Sequence, residues 1–303
     1  MLNLETKRRT DITPATVGWF VILLALAAMY VPTYWAAADS TWQSEDNAHG
    51  ALVLAVVLWL FWRQRKLISH SPDHPSKALG AVSFTLGLLF YVYGRALESR
   101  SFEFLSPVLV ISGLLLVIKG REAFKAAWFP VLYLLFTIPL PAVVVDTLTG
   151  PLKQWISALV VNGLYGLGYP ISRAGVMISI GQYQLLVADA CSGLHSMFSM
   201  AAIGTLYIYL RNSPSRIHNL VMLASMIPIS FFANIIRVSL LVLITYYLGD
   251  EAGQGILHGA AGMALMLFSL ACLFGIDFLF GRHVRPRARS TADVAPDHLI
   301  HRV

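Results

Sequence analysis

The sequence predicts an all-α polytopic membrane protein of about eight transmembrane helices, with a small outer-face β-hairpin and an interfacial helix. Composition and residue placement lead there. Hydrophobic residues make up 57% of the 303-residue chain and charged ones only 13%, where a soluble domain carries about 25%. Mean hydropathy is +0.67. Apolar runs near the ~18–20 residues that cross a bilayer recur along the chain. Basic residues gather at the short turns between them.

The first run, Val17 to Trp35, follows Lys7-Arg8-Arg9. Its length, its distal aromatics and the lack of a small-x-small cleavage site mark a retained span rather than a signal peptide. Further spans are expected at 49–62, 78–97, 103–118, 127–145, 190–210, 217–237 (open to running on to 248) and 257–280. Pro228 is placed to kink the seventh, because it removes a backbone hydrogen bond. With the N-terminus inside, the clusters at 7–9, 63–66, 119–125, 211–216 and 282–289 all fall on the cytoplasmic side. Only Arg95, Arg100, Lys153, Arg173 and Arg237 fall elsewhere. The net charge of +6 therefore follows the membrane. Membrane lipids are expected partners and nucleic acid is not.

The whole chain, 1–303, reads as a single transmembrane domain, with residues 1–16 a cytoplasmic N-terminus and 283–303 a disordered cytoplasmic tail. The long outer-face segment is 146–189. Within it, Leu152 to Leu167 has apolar residues at helical spacing and reads as the interfacial helix. Val176, Ile178 and Ile180, then Tyr183, Leu185 and Val187, alternate on either side of Gly181-Gln182, which reads as the hairpin, over 172–187.

This topology brings distant polar residues to one depth. Cys191 begins the sixth span at its outer end, Arg237 closes the seventh there, and His258 opens the eighth there. Ionisable groups in or near spans are costly and are usually paired or functional. A thiolate is a strong nucleophile, and a helix N-terminus or a nearby cation lowers its pKa. Ser192 and Gly193 keep the following turn small enough for a peptide to approach. A guanidinium can hydrogen-bond the oxyanion of a tetrahedral intermediate. An imidazole can protonate a leaving amine. His195, on the face of Cys191, competes with His258 as the thiol's partner. Asn234, one turn before Arg237, is placed to orient it or to bond a neighbouring helix. Alone, each residue has a plain role: packing for Cys191, headgroup anchoring for Arg237, capping for His258. Their common depth raises the catalytic reading. Cys272, ~20 Å into its span, lies too deep to pair with Cys191 and reads as apolar filler, and Asp277 stands alone near the inner end. No H-E-x-x-H, G-x-S-x-G or P-loop pattern occurs, and neither cofactor nor metal is expected.

These residues sit in stretches that resemble the exosortase/archaeosortase family of membrane cysteine transpeptidases. The stretches are His49-Gly50, the "IPLP" of 138–141, the "ACSGLHS" of 190–196, the "FANIIRV" of 232–238 and the "HGAAG" of 258–262, in that order. The resemblance implies catalytic roles for Cys191, Arg237 and His258. It implies a cysteine protease or transpeptidase, working through an acyl-enzyme thioester on exported proteins. Their C-terminal sorting signal is a Pro-Glu-Pro-type motif, a transmembrane helix and a basic cluster. The new carboxyl end would pass to a cell-envelope acceptor that the sequence does not name. It further implies the inner membrane of a bacterium making extracellular polysaccharide, with the active site facing the periplasm. In the family the position of His195 is often arginine or another polar residue. The short basic tail resembles single-module members, such as the exosortase B type. His49 and Arg173 are outer-face candidates for substrate contact, the latter, like Arg95, for a motif glutamate. A second reading is a transporter or an export-complex subunit for extracellular polysaccharide, with Asn234, Arg237 and His258 lining a path. Tolerance of Cys191→Ala would favour it.

Overall fold

A computed structural model describes residues 14–43, 47–72, 74–186, 193–213, 215–249 and 256–283. The chain forms two compact units, Met1–Trp155 and Ile156–Val303.

The first unit contains α1 (Pro14–Asp39), α2 (His49–His70), α3 (Lys77–Ala96), α4 (Arg100–Ile118), α5 (Arg121–Tyr133) and the start of α6 (Ala142–Gly166). Its tightest contact is the α3–α4 hairpin. Gly80, Gly87 and Gly94 recur every seven residues, so they line one face of α3, and all are buried. A Cβ at Gly87 would lie 2.7 Å from the backbone N of Val110, and one at Gly94 2.6 Å from that of Glu103. From the other side, a Cβ at Gly113 would lie 2.5 Å from the backbone N of Phe84. Lipid offers apolar side chains no refuge from water that a neighbouring helix would improve on, so close backbone approach is what holds such helices together. Ser83 adds a hydrogen bond from its hydroxyl to the carbonyl of Leu109, at 2.9 Å. Gly87→Leu is therefore expected to destabilise the protein by about 3 kcal/mol, the upper range for overpacking, seen as earlier unfolding in dodecyl sulfate mixed micelles. At the tight turn Glu103, 3% exposed, pairs with Arg95 at 3.5 Å and Arg100 at 3.2 Å.

The expected fifth span, 127–145, is not one helix. α5 ends at Tyr133, a 3₁₀ turn covers Leu134–Thr137, and α6 starts at Ala142. Pro139 and Pro141 lack backbone N–H groups and push the residues before them out of helical geometry. The helix expected over Leu152–Leu167 is correspondingly longer, because Ala142 already belongs to it.

In the second unit the expected hairpin is a three-stranded antiparallel meander: β1 (Ile171–Ala174), β2 (Met177–Ile180) and β3 (Tyr183–Leu186). Ile180 faces both Ile171 and Tyr183. The turns carry Gly175 at φ 63° and Gly181 at φ 57°, which suits a residue without a Cβ. The alternation of 176–187 marks the second hairpin, while β1 is polar and three of its four positions are exposed.

Three long helices follow: α7 (Gly193–Arg211), α8 (Arg216–Leu248) and α9 (Ile256–His283). Ser215 caps α8 by accepting from the backbone N–H of His218, and Pro228 does not end that helix. Met200, Met222, Met226 and Leu273 form a buried cluster joining the three. Among the described residues, five helices are long and apolar enough to cross a membrane, those of α1, α3, α4, α8 and α9. α5, at 13 residues, is too short by itself, and α2 carries Arg63, Arg65 and Lys66 in its second half.

Candidate active site

α8 packs against both α7 and α9. Its 33 residues span ~50 Å, more than the ~30 Å hydrocarbon core. The helix therefore runs on past Arg237, where the sequence allows the span to end, as far as Leu248. The extra turns are covered by the meander. A Cβ at Gly181 would touch the ring of Tyr246 at 3.4 Å, and the hydroxyls of Tyr169 and Tyr247 meet at 3.0 Å.

At one end of the trio, polar groups converge on Asp277 of α9. Tyr207 of α7 donates to its Oδ2 at 2.8 Å, and His218 of α8 donates to its Oδ1 at 2.7 Å. The guanidinium of Arg211 pairs with the same carboxylate. Asp277, alone in the sequence, is thus a buried junction of all three helices. Polar residues near the ends of three consecutive spans were the available signal. Asp277→Asn is expected to cost about 1–2 kcal/mol of stability, since it weakens the hydrogen bonds that Tyr207 and His218 donate to a charged acceptor. The shift in unfolding midpoint checks it.

This junction sets the helix directions. α7 and α9 run against α8, so the start of α7 at Gly193, Arg237 and the start of α9 lie toward the opposite end. There Asn234 and Arg237 are 4% and 7% exposed, one turn apart on the same face of α8. A Cβ built at Gly262 of α9 would lie 3.5 Å from an Nη and 3.6 Å from Cζ of Arg237. The guanidinium thus faces the bare backbone of Gly262, with room between them for a methyl group, one helical turn beyond His258.

Cys191 and Ser192 lie outside the described residues, just ahead of α7. His195 and His258 belong to the first turns of α7 and α9, and their side chains lie outside the described set. Arg173 is exposed on β1, its guanidinium 3.5 Å from the carbonyl of Gly175. In the first unit, His49 opens α2 and donates from Nε2 to the carbonyl of Phe136 at 3.2 Å. Ser101 donates to the carbonyl of Pro139 at 2.7 Å. Two of the motif stretches, "HG" and "IPLP", are therefore neighbours, and Gly50 makes room for the indole of Trp42. Arg95, a sequence candidate for a substrate glutamate, holds Glu103 of its own chain. Cys272 is a free thiol, partly buried in α9.

A family model described as transmembrane exosortase (Exosortase_EpsH) matches residues 41–275. The chain belongs to the transmembrane exosortase family. No curated protein and no solved structure matches it. The exosortase is thus an integral membrane protein of a cysteine-type transpeptidase group. All five motif stretches fall within the matched residues, as do Cys191, Arg237 and His258.

Proposed function

We propose that this exosortase is a membrane-embedded cysteine transpeptidase that cleaves the C-terminal sorting signal of exported proteins. The signal is a Pro-Glu-Pro-type motif, a transmembrane helix and a basic cluster. Cys191 attacks the scissile carbonyl, Arg237 holds the oxyanion, and His258 protonates the departing amine. The C–N bond breaks and a thioester remains on Cys191. An acceptor nucleophile, or water, then takes the acyl group and returns the thiol. His195 is the second candidate for the proton transfers, and Asn234 orients Arg237. Ser192 leaves room for the peptide, and His49 and Arg173 are candidates for contact with it. The active site faces the periplasm of a bacterial inner membrane, with both termini cytoplasmic and about eight spans counted by the apolar runs.

What supports this reading is the buried Arg237 facing Gly262, in an exosortase whose motif histidine lies one turn away in the sequence. A guanidinium held at a fixed place presents a planar fork of donors to a developing oxyanion. The test is co-expression with an exported protein bearing such a signal, followed by mass spectrometry of the product's C-terminus. Cleavage next to the motif is expected. An intact signal in the presence of folded enzyme would refute the proposal and favour the polysaccharide-export reading.

A further inference from the structure

The first unit holds a cavity of about 940 Å³ between α1, α2 and α4. It arises because α1 is fastened by only part of its length. Tyr30 shares a hydrogen bond of 3.0 Å with Ser106, Tyr91 donates to the carbonyl of Met29 at 3.0 Å, and Thr33 and Ala37 are fully buried. Toward its start, Phe20, Leu23 and Leu24 are all at least 60% exposed. The walls there are apolar: Leu26 of α1, Val57 and Phe61 of α2, Ile111 and Leu115 of α4.

Its charge is one-sided. Among the described residues, Arg65 and Lys119 are the charged side chains that line it. Arg65 stacks over the ring of Trp62 at 4.3 Å and donates to that residue's carbonyl at 2.8 Å. Lys119 reaches the carbonyl of Ser69, which also lines the cavity, at 3.5 Å. Both cations therefore lie at the end of α2, where the apolar part of that helix gives way to Arg63–Lys66. A helix that passes from apolar to cationic suits an anionic headgroup at the cationic end and acyl chains along the apolar cleft beside it.

We propose that this cavity is a binding site for an anionic phospholipid, with its phosphate on Arg65 and Lys119 and its acyl chains between α1, α2 and α4. Long apolar walls that end in two cations match a molecule with a long apolar body and one anionic end. A transmembrane peptide that ends in a basic cluster fits poorly, because it would set like charges against each other at the same depth. The site is independent of the catalytic reading.

The full-length protein in detergent, titrated with dioleoyl phosphatidylglycerol or dioleoyl phosphatidylcholine, tests this by native mass spectrometry. Retention of the anionic lipid is expected to exceed that of the zwitterionic one by on the order of 10-fold. Arg65→Gln with Lys119→Gln should bring the two within about 2-fold of each other, while Arg63→Gln with Lys66→Gln, outside the cavity, should leave the preference in place. Ala27→Trp, which fills the cleft from α1, should lower retention of both lipids. Equal retention by wild type would overturn the proposal. So would an equal loss in the two charge-variant pairs, or displacement of the lipid by a synthetic helix with a C-terminal arginine cluster.

Discussion

Cys191→Ala is expected to abolish processing of a co-expressed substrate, lowering the rate on the order of 10⁶-fold, as removal of a nucleophile does in other acyl-transfer enzymes. Cys191 precedes α7 in the sequence and is no member of the methionine cluster, and the change to alanine removes a single sulfur atom, so the variant should fold. The expected readout is an intact sorting signal, with the protein eluting as wild type from size exclusion. Trapping supplies a positive arm. Wild-type enzyme quenched in acid should carry substrate through a linkage that hydroxylamine cleaves, as a thioester requires, and the alanine variant should carry none. Processing by Cys191→Ala at the wild-type rate would place the nucleophile elsewhere.

Arg237→Gln should cost about 10²–10³ in kcat, the size of effect seen when an oxyanion donor is removed. The loss should fall on kcat with KM little changed, because the interaction strengthens only as charge develops. Arg237→Lys should recover part of it, since lysine keeps the charge but not the planar fork of donors. The packing on α9 gives a companion test. A Cβ at Gly262 would sit 3.5 Å from the guanidinium, an ordinary contact, so Gly262→Ala should be nearly silent. Gly262→Leu should push the guanidinium aside and lower kcat toward the Arg237→Gln value. A loss that fell on KM alone would mean that Arg237 binds substrate rather than stabilising the transition state.

Much of the layout was legible from local pattern. Apolar runs located the long helices, and glycines with alternation located β2 and β3. The departures have local causes of a kind that hydropathy ignores. "IPLP" is apolar, so a run through 127–145 looks continuous, yet its prolines cannot sustain a helix there. β1 fell inside the expected hairpin, 172–187, but was not separated as a strand, because Ser172, Arg173 and Ala174 are all exposed and leave no alternation to detect. α8 runs on past the expected span because the meander and Tyr169 pack on its last turns, a tertiary support that its own residues do not announce.

By itself, the sequence determined that this chain enters a membrane, and it named Cys191, Arg237 and His258 as candidates for nucleophile, oxyanion donor and proton carrier. Hydropathy and side-chain chemistry belong to each residue wherever it sits. Only the tertiary structure decided that Asp277 joins Tyr207, Arg211 and His218, that Glu103 claims Arg95, and that Arg237 is buried against Gly262. Those facts depend on how helices far apart in the chain are rotated and set in register. That rotation follows from which small residues let backbones approach, as Gly87 and Gly113 do between α3 and α4.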